Sequence, residues 1–117
     1  MIWFFLGGVG FHYFHQGIVD EAMSLYNKAL AINPGDAEAY TGRGATYDRK
    51  GLHDQAIADY NKALEINPKL AEAYVNRGIV YALKLGDKKK GCSDWRRACE
   101  LGLCDYYERA KRQGTCE

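Results

Sequence analysis

The chain has 117 residues, a length that fits one domain. Its 16 Lys and Arg against 15 Asp and Glu give a formal charge of +1, and 47% of the residues are hydrophobic. That composition excludes a disordered chain, and the charge balance argues against a nucleic-acid binder, which shows a strong basic excess.

The opening segment MIWFFLGGVGF is apolar. A secretory signal would carry a positive n-region and a small-residue cleavage site, and it has neither. A membrane span needs about 20 apolar residues, and His12, His15 and Gln16 arrive too soon. The segment is therefore read as part of the fold, with Trp3, Phe4, Phe5 and Leu6 opening a helix. Gly7, Gly8 and Gly10 weaken that helix by roughly 1 kcal/mol each relative to alanine. Burying its aromatic residues would return roughly 1.5–3 kcal/mol apiece, so the segment should be ordered when packed and frayed when not. Its uncapped apolar face is a candidate for self-association, or for exchange between chains.

Sliding the chain against itself by 34 positions exposes an internal repeat. Ala37-Glu38-Ala39-Tyr40, Arg43-Gly44 and Tyr47 recur as Ala71-Glu72-Ala73-Tyr74, Arg77-Gly78 and Tyr81. Backwards, Gly51, Ala56, Tyr60-Asn61-Lys62-Ala63-Leu64 and Ile66-Asn67-Pro68 match Gly17, Ala22, Tyr26-Asn27-Lys28-Ala29-Leu30 and Ile32-Asn33-Pro34. Each unit reads as two helices. In the second unit Asp36 is the N-cap, following Pro34-Gly35, and Glu38 places a favourable charge in the first turn. Small and aromatic residues from Ala39 to Tyr47 share one helix face, and Gly51 ends that helix. Asp54 opens the next helix, Ala56, Tyr60, Ala63 and Leu64 form its buried stripe, and Pro68 blocks continuation. Gly44 and Ala56 leave room for the two helices to approach. One such hairpin cannot bury its apolar face alone, whereas a stack can.

Gly44, Tyr47, Gly51, Ala56, Tyr60, Ala63 and Pro68, with Tyr40 leading, resemble the tetratricopeptide signature. Arg43 stands where that signature carries leucine. The first unit matches through Gly10, Tyr13, Gly17, Ala22, Tyr26, Ala29 and Pro34. The third matches at Tyr74, Gly78 and Tyr81, then needs one inserted residue near Leu85. Beyond it Gly86, Gly91, Trp95 and Ala98 fall into place, with Gly91 where alanine is usual and Leu101-Gly102 replacing the terminating proline. The resemblance implies an all-α right-handed α-α superhelix of three helix-turn-helix repeats, residues 3–36, 37–70 and 71–103. Residues 104–113, with Tyr106, Tyr107 and Ala110, resemble the helix that caps such arrays.

Arg43 and Arg77 on first helices coincide with Asp59 and Asp94 on second helices, while the equivalent pair in the first unit is Val9 and Leu25. Two charged pairs and one apolar pair at matching places predict direct contact within each hairpin.

The resemblance also implies a non-catalytic protein-interaction module that takes a peptide or helix in a concave groove lined by first helices. By register, the first unit supplies Phe4, Gly7, Phe11, Phe14 and His15. The second supplies Glu38, Thr41, Ala45, Asp48 and Arg49, and the third Glu72, Val75, Ile79, Ala82 and Leu83. Some of these side chains are expected to be half-buried between units. Family members that grip the C-terminal carboxylate of heat-shock chaperones use lysine, asparagine and arginine in this groove. Gly7, Phe11, Gly42, Glu72 and Asn76 stand at those places, so only Asn76 is of a suitable type and Glu72 would repel a carboxylate.

Cys92, Cys99, Cys104 and Cys116 lie in the last quarter without a Cys-x-x-Cys pair, which disfavours zinc and excludes a thioredoxin-like centre. If the last helix of the third unit runs antiparallel to the cap, Cys92 approaches Cys116 and Cys99 approaches Cys104. Paired, they imply an oxidising, periplasmic or secreted setting; free, they are small buried hydrophobes of a cytoplasmic protein. His12 and His15 lie three apart without a third metal ligand, and Gly7-Gly8-Val9-Gly10 lacks the strand a phosphate loop requires. His53 sits beside Asp54 in the turn, where a capping role suffices. No nucleophile–base arrangement stands out, and no metal or cofactor is expected. Two alternatives accompany the groove reading. One is a homodimer or larger assembly formed through the first helix. The other is salt-sensitive binding of an anionic polymer by Lys88, Lys89, Lys90, Arg96, Arg97, Arg109 and Arg112.

Overall fold

A computed structural model describes residues 7–117 of the chain, with side chains from Gln16 onward. Six helices follow one another: α1 (Gly7–Ile32), α2 (Ala37–Arg49), α3 (His53–Ile66), α4 (Ala71–Ile79), α5 (Lys88–Glu100) and α6 (Asp105–Arg112). No strand occurs among the described residues. The helices form a repeat solenoid: α2 pairs with α3 and α4 with α5, α1 packs on α2, α3 on α4, and α6 closes the end against α5.

The punctuation of the second unit is chemical. Asp36 accepts a hydrogen bond from the Ala39 N–H at 3.0 Å, satisfying one of the free donors at the start of α2. Gly51 has φ +80°, a left-handed conformation that ends α2 and turns the chain into α3. The first helical residue of α3 is His53, one position before Asp54, which lies in the first turn. The interior is built from small residues of one helix facing large residues of the next. Ala37, Ala63, Leu64 and Ala73 join α2, α3 and α4, with Tyr40, Leu70 and Tyr74 packed around them. Ala56, Tyr60 and Val80 form a second cluster, in which Tyr60 is 1% exposed.

The residue inserted in the third unit is absorbed without a loop. The chain leaves α4 through a π-helical turn, Val80–Lys84, and the Leu85 N–H reaches back five residues to the Val80 carbonyl at 3.0 Å. A π turn is the way a helix takes up one extra residue while keeping its backbone hydrogen-bonded. It also brings α5 close. A Cβ on Gly91 would lie 2.5 Å from the Ala82 Cβ and 2.9 Å from the Gly78 carbonyl oxygen. That contact explains why glycine replaces alanine there.

The first unit departs from the expected hairpin. α1 is one helix from Gly7 to Ile32, and it runs through Gly17, where the second unit turns at Gly51. Glycine permits the turn without enforcing it. Pro34 does end α1, and the chain re-enters at Asp36.

Candidate functional site

Two buried ion pairs fix the first helices that would line a groove. Arg43 donates from Nε to Asp59 Oδ2 at 2.7 Å and from Nη2 to Asp59 Oδ1 at 2.9 Å. Arg77 does the same to Asp94, at 2.9 and 2.7 Å. The aspartate side chains are 8% and 7% exposed. Each guanidinium is flanked by two rings: Tyr40 and Tyr47 lie 5.5 and 5.6 Å from Arg43, Tyr74 and Tyr81 5.5 and 6.0 Å from Arg77. Hydrogen bonding to Asp59 and Asp94 raises both arginine pKa values above their ordinary level, against the opposing effect of burial. The carboxylates are thus held by an obligate cation in a forked geometry.

A third bond was not anticipated from the sequence. Arg43 Nη1 donates to Asn27 Oδ1 at 3.1 Å and Arg77 Nη1 to Asn61 Oδ1 at 2.8 Å. Each arginine therefore ties its own hairpin together and also reaches the last helix of the preceding unit. The signal was available, since Asn27 and Asn61 recur at the repeat spacing.

An open cavity of about 480 Å³ lies between the C-terminal half of α1 and the first turns of α2 and α4. Its wall includes Tyr26, Asp36, Glu38, Gly42, Leu70 and Glu72. Asp36 is engaged as the α2 cap, whereas Glu38 and Glu72 are exposed in the first turns of their helices. No lysine or arginine lines this cavity. The site is acidic, and Tyr26, Ala29, Ala39 and Leu70 supply its apolar and aromatic surface.

The remaining groove candidates divide by burial. Thr41 borders the cavity but is 4% exposed, and its hydroxyl donates to the Ala37 carbonyl at 3.0 Å. Val75 is likewise 4% exposed, and its carbonyl accepts the Trp95 Nε1–H at 3.2 Å. Thr41, Val75 and the buried Ala82 hold helices together and offer a ligand little surface. Ala45, Asp48, Asn76 and Ile79 are half-buried, with Asp48 bonded to His53 Nδ1 at 2.8 Å. Arg49 is exposed, and Leu83 stands out from the π turn at 67% exposure. Phe4 lies outside the described residues, as do the side chains of Phe11, Phe14, His12 and His15.

The C-terminal end is of opposite character. Lys88, Lys89 and Arg96 line a cavity of about 530 Å³ together with Glu117. Lys90, Arg109 and Lys111 instead lie over the rings of Tyr81, Tyr106 and Tyr107 at 5.2–5.7 Å. Cys92 is joined to Cys116 and Cys99 to Cys104. The first bond anchors the chain end to α5, beside a cluster of Ala82, Trp95 and Ala110. Among the described residues no group of His, Cys, Asp and Glu is arranged to hold a metal, and no helix is long and apolar enough to cross a membrane.

Three family models for tetratricopeptide repeats match the chain, at residues 10–51, 37–70 and 59–95. They overlap, so that together they run from residue 10 to residue 95. Comparison with curated proteins gave no significant match. Among solved structures, the first TPR of Spaghetti bound to an HSP90 peptide is similar at 27% identity and a TM-score of 0.74, covering 96% of this chain and 88% of that one. The Arabidopsis OM64 TPR domain is 26% identical with a TM-score of 0.74, covering 86% of each chain. MamA is 30% identical with a TM-score of 0.67 over 84% of this chain, which spans about half (54%) of MamA's length. With its repeat period, its helical hairpins and these matches in agreement, the chain belongs to the tetratricopeptide repeat family.

Proposed function

We propose that this chain is a non-catalytic protein-interaction module, and that its ligand is a peptide or helix lying along α2 and α4 with a cationic side chain in the Glu38–Glu72 cavity. The observation that carries the reading is that two exposed carboxylates line one cavity with no lysine or arginine among its described lining residues. Leu83, 67% exposed on the π turn that follows α4, is the apolar side chain available to a ligand lying along that helix, whereas Ile79 packs against the Ala82, Trp95 and Ala110 cluster. The Spaghetti domain was solved with the HSP90 peptide SRMEEVD. An acidic tail of that kind would meet Glu38 and Glu72 here, and like charge disfavours it.

The two disulfides fit an oxidising compartment, and they brace the cap rather than the groove. The test is fluorescence anisotropy with two labelled peptides: one bearing a central lysine between leucines, and the acidic SRMEEVD. The wild-type chain should prefer the lysine peptide, and Glu72→Lys should reverse that preference. Equal binding of both, unchanged by the substitution, would remove the cavity from the account.

A further inference from the structure

One face of α1 carries an apolar stripe that is left partly uncovered among the described residues. Ile18, Ala22, Leu25, Ala29 and Ile32 follow one another at alternating spacings of four and three, one stripe on a helix. Leu25 is 58% exposed, and Ala22 and Ala29 are half-buried. One repeat later the three central positions hold Ala56, Asp59 and Ala63, which are 0%, 6% and 0% exposed because α2 lies over them, while Leu52 and Ile66, at the places of Ile18 and Ile32, stay 38% and 37% exposed. What the α1 stripe lacks is the first helix of its own unit. Because α1 continues straight through Gly17, Gly7–Gln16, which match part of that helix, are carried away along the axis and cannot cover the stripe themselves.

The register of the hairpin identifies what can. In the second unit the contact is centred on the turn: Arg43 and Asp59 stand eight residues on either side of Gly51. The same count about Gly17 sets Val9 against Leu25. A rule that places each residue opposite the one equally far beyond Gly17 is also the rule for two straight helices lying antiparallel and crossing there. Every contact that a folded-back hairpin would make within one chain is then made between two. The crossing point is open, since a Cβ at Gly17 would meet nothing within 4 Å.

We propose that two copies of the chain pair antiparallel through α1, each laying its Gly7–Gln16 half on the other's Ile18, Ala22 and Leu25. The exchange completes the first unit in both copies. The pairing rests on the α1 stripe and the hairpin register, so it stands or falls separately from the ligand assigned to the Glu38–Glu72 cavity.

The register makes the test specific. Val9→Arg and Leu25→Asp are made in separate chains, and molar mass is measured by light scattering for each and for an equimolar mixture, in non-reducing buffer. The wild type is a dimer. Each variant alone sets an unpaired charge against an apolar residue at both contacts and dissociates more readily. The mixture forms a heterodimer with one ion pair and one apolar pair, and its dissociation midpoint lies at least about tenfold lower in concentration than that of either variant. Circular dichroism of each variant confirms that α2–α6 remain folded. The chain carrying both substitutions is again a dimer under exchange, whereas a folded-back hairpin would make it a monomer. A wild type that stays monomeric, or a mixture no tighter than its components, overturns the proposal.

Discussion

Replacing Arg43 with leucine would remove the cation from the Asp59 carboxylate, which is 8% exposed in the native pair. Two charge-assisted hydrogen bonds at 2.7 and 2.9 Å disappear, together with the bond to Asn27 and the stacking between Tyr40 and Tyr47. Removing one partner of a buried pair costs about 3–5 kcal/mol, because the surviving charge stays desolvated. For a domain of this size that lowers Tm by roughly 10–25 °C. The chain also suggests its own rescue, since the first unit carries Val9 and Leu25 at the matching places. Arg43→Val combined with Asp59→Leu should recover most of the loss, with a coupling of roughly 2–3 kcal/mol between the two sites. Urea unfolding followed by circular dichroism on the wild type, both single variants and the double variant measures this. A single-variant cost below about 1 kcal/mol, the scale of an exposed pair, would refute the reasoning, and so would strict additivity.

Three further outcomes are expected. Gly91→Ala should destabilise the chain by about 1–2 kcal/mol in urea unfolding, because the clash with Ala82 and the Gly78 carbonyl outweighs the better helix propensity of alanine. Removing the Cys92–Cys116 bond by Cys92→Ser with Cys116→Ser reopens a loop with a sequence separation of 24, and the loss of stability should be at most about 3.5 kcal/mol on chain-entropy grounds; thermal unfolding of this variant against the wild type without reductant reads it, and four free thiols in denatured, unreduced protein would contradict the bond itself. Trp95→Ala should cost about 3–5 kcal/mol, because Trp95 is 4% exposed and hydrogen-bonded to the Val75 carbonyl; a midpoint shift worth under 1 kcal/mol would contradict that burial.

The hairpin contacts were legible because the sequence repeats them. Arg43 with Asp59 and Arg77 with Asp94 recur one period apart, and the structure makes both pairs. The link from each arginine to the preceding asparagine recurs as well, but the sequence does not say which of a guanidinium's nitrogens reaches where. An inserted residue near Leu85 could be counted, yet a bulged loop and a π turn take up the same number of residues. In the structure the π turn sets Ala82 against α5 at Gly91, a contact the residue count alone does not reveal. Gly17 and Gly51 occupy the same place in the repeat, and only Gly51 turns. Glycine is compatible with helix and turn alike, so the difference comes from what covers the helix. Burial of Thr41 and Val75 was hidden for a related reason: register assigns a face, while the distance to the neighbouring helix decides whether that face is open.

The proposed ligand sits in the cavity between α1, α2 and α4. The direct measurement is a titration of isotope-labelled protein with the lysine-bearing peptide, followed through backbone amide shifts. The amides of Glu38, Ala45, Glu72, Asn76 and Ile79 should move, while those of Lys88, Lys89 and Arg96 at the far end stay in place. Shifts confined to the basic C-terminal cavity, or absent throughout, would contradict the reading.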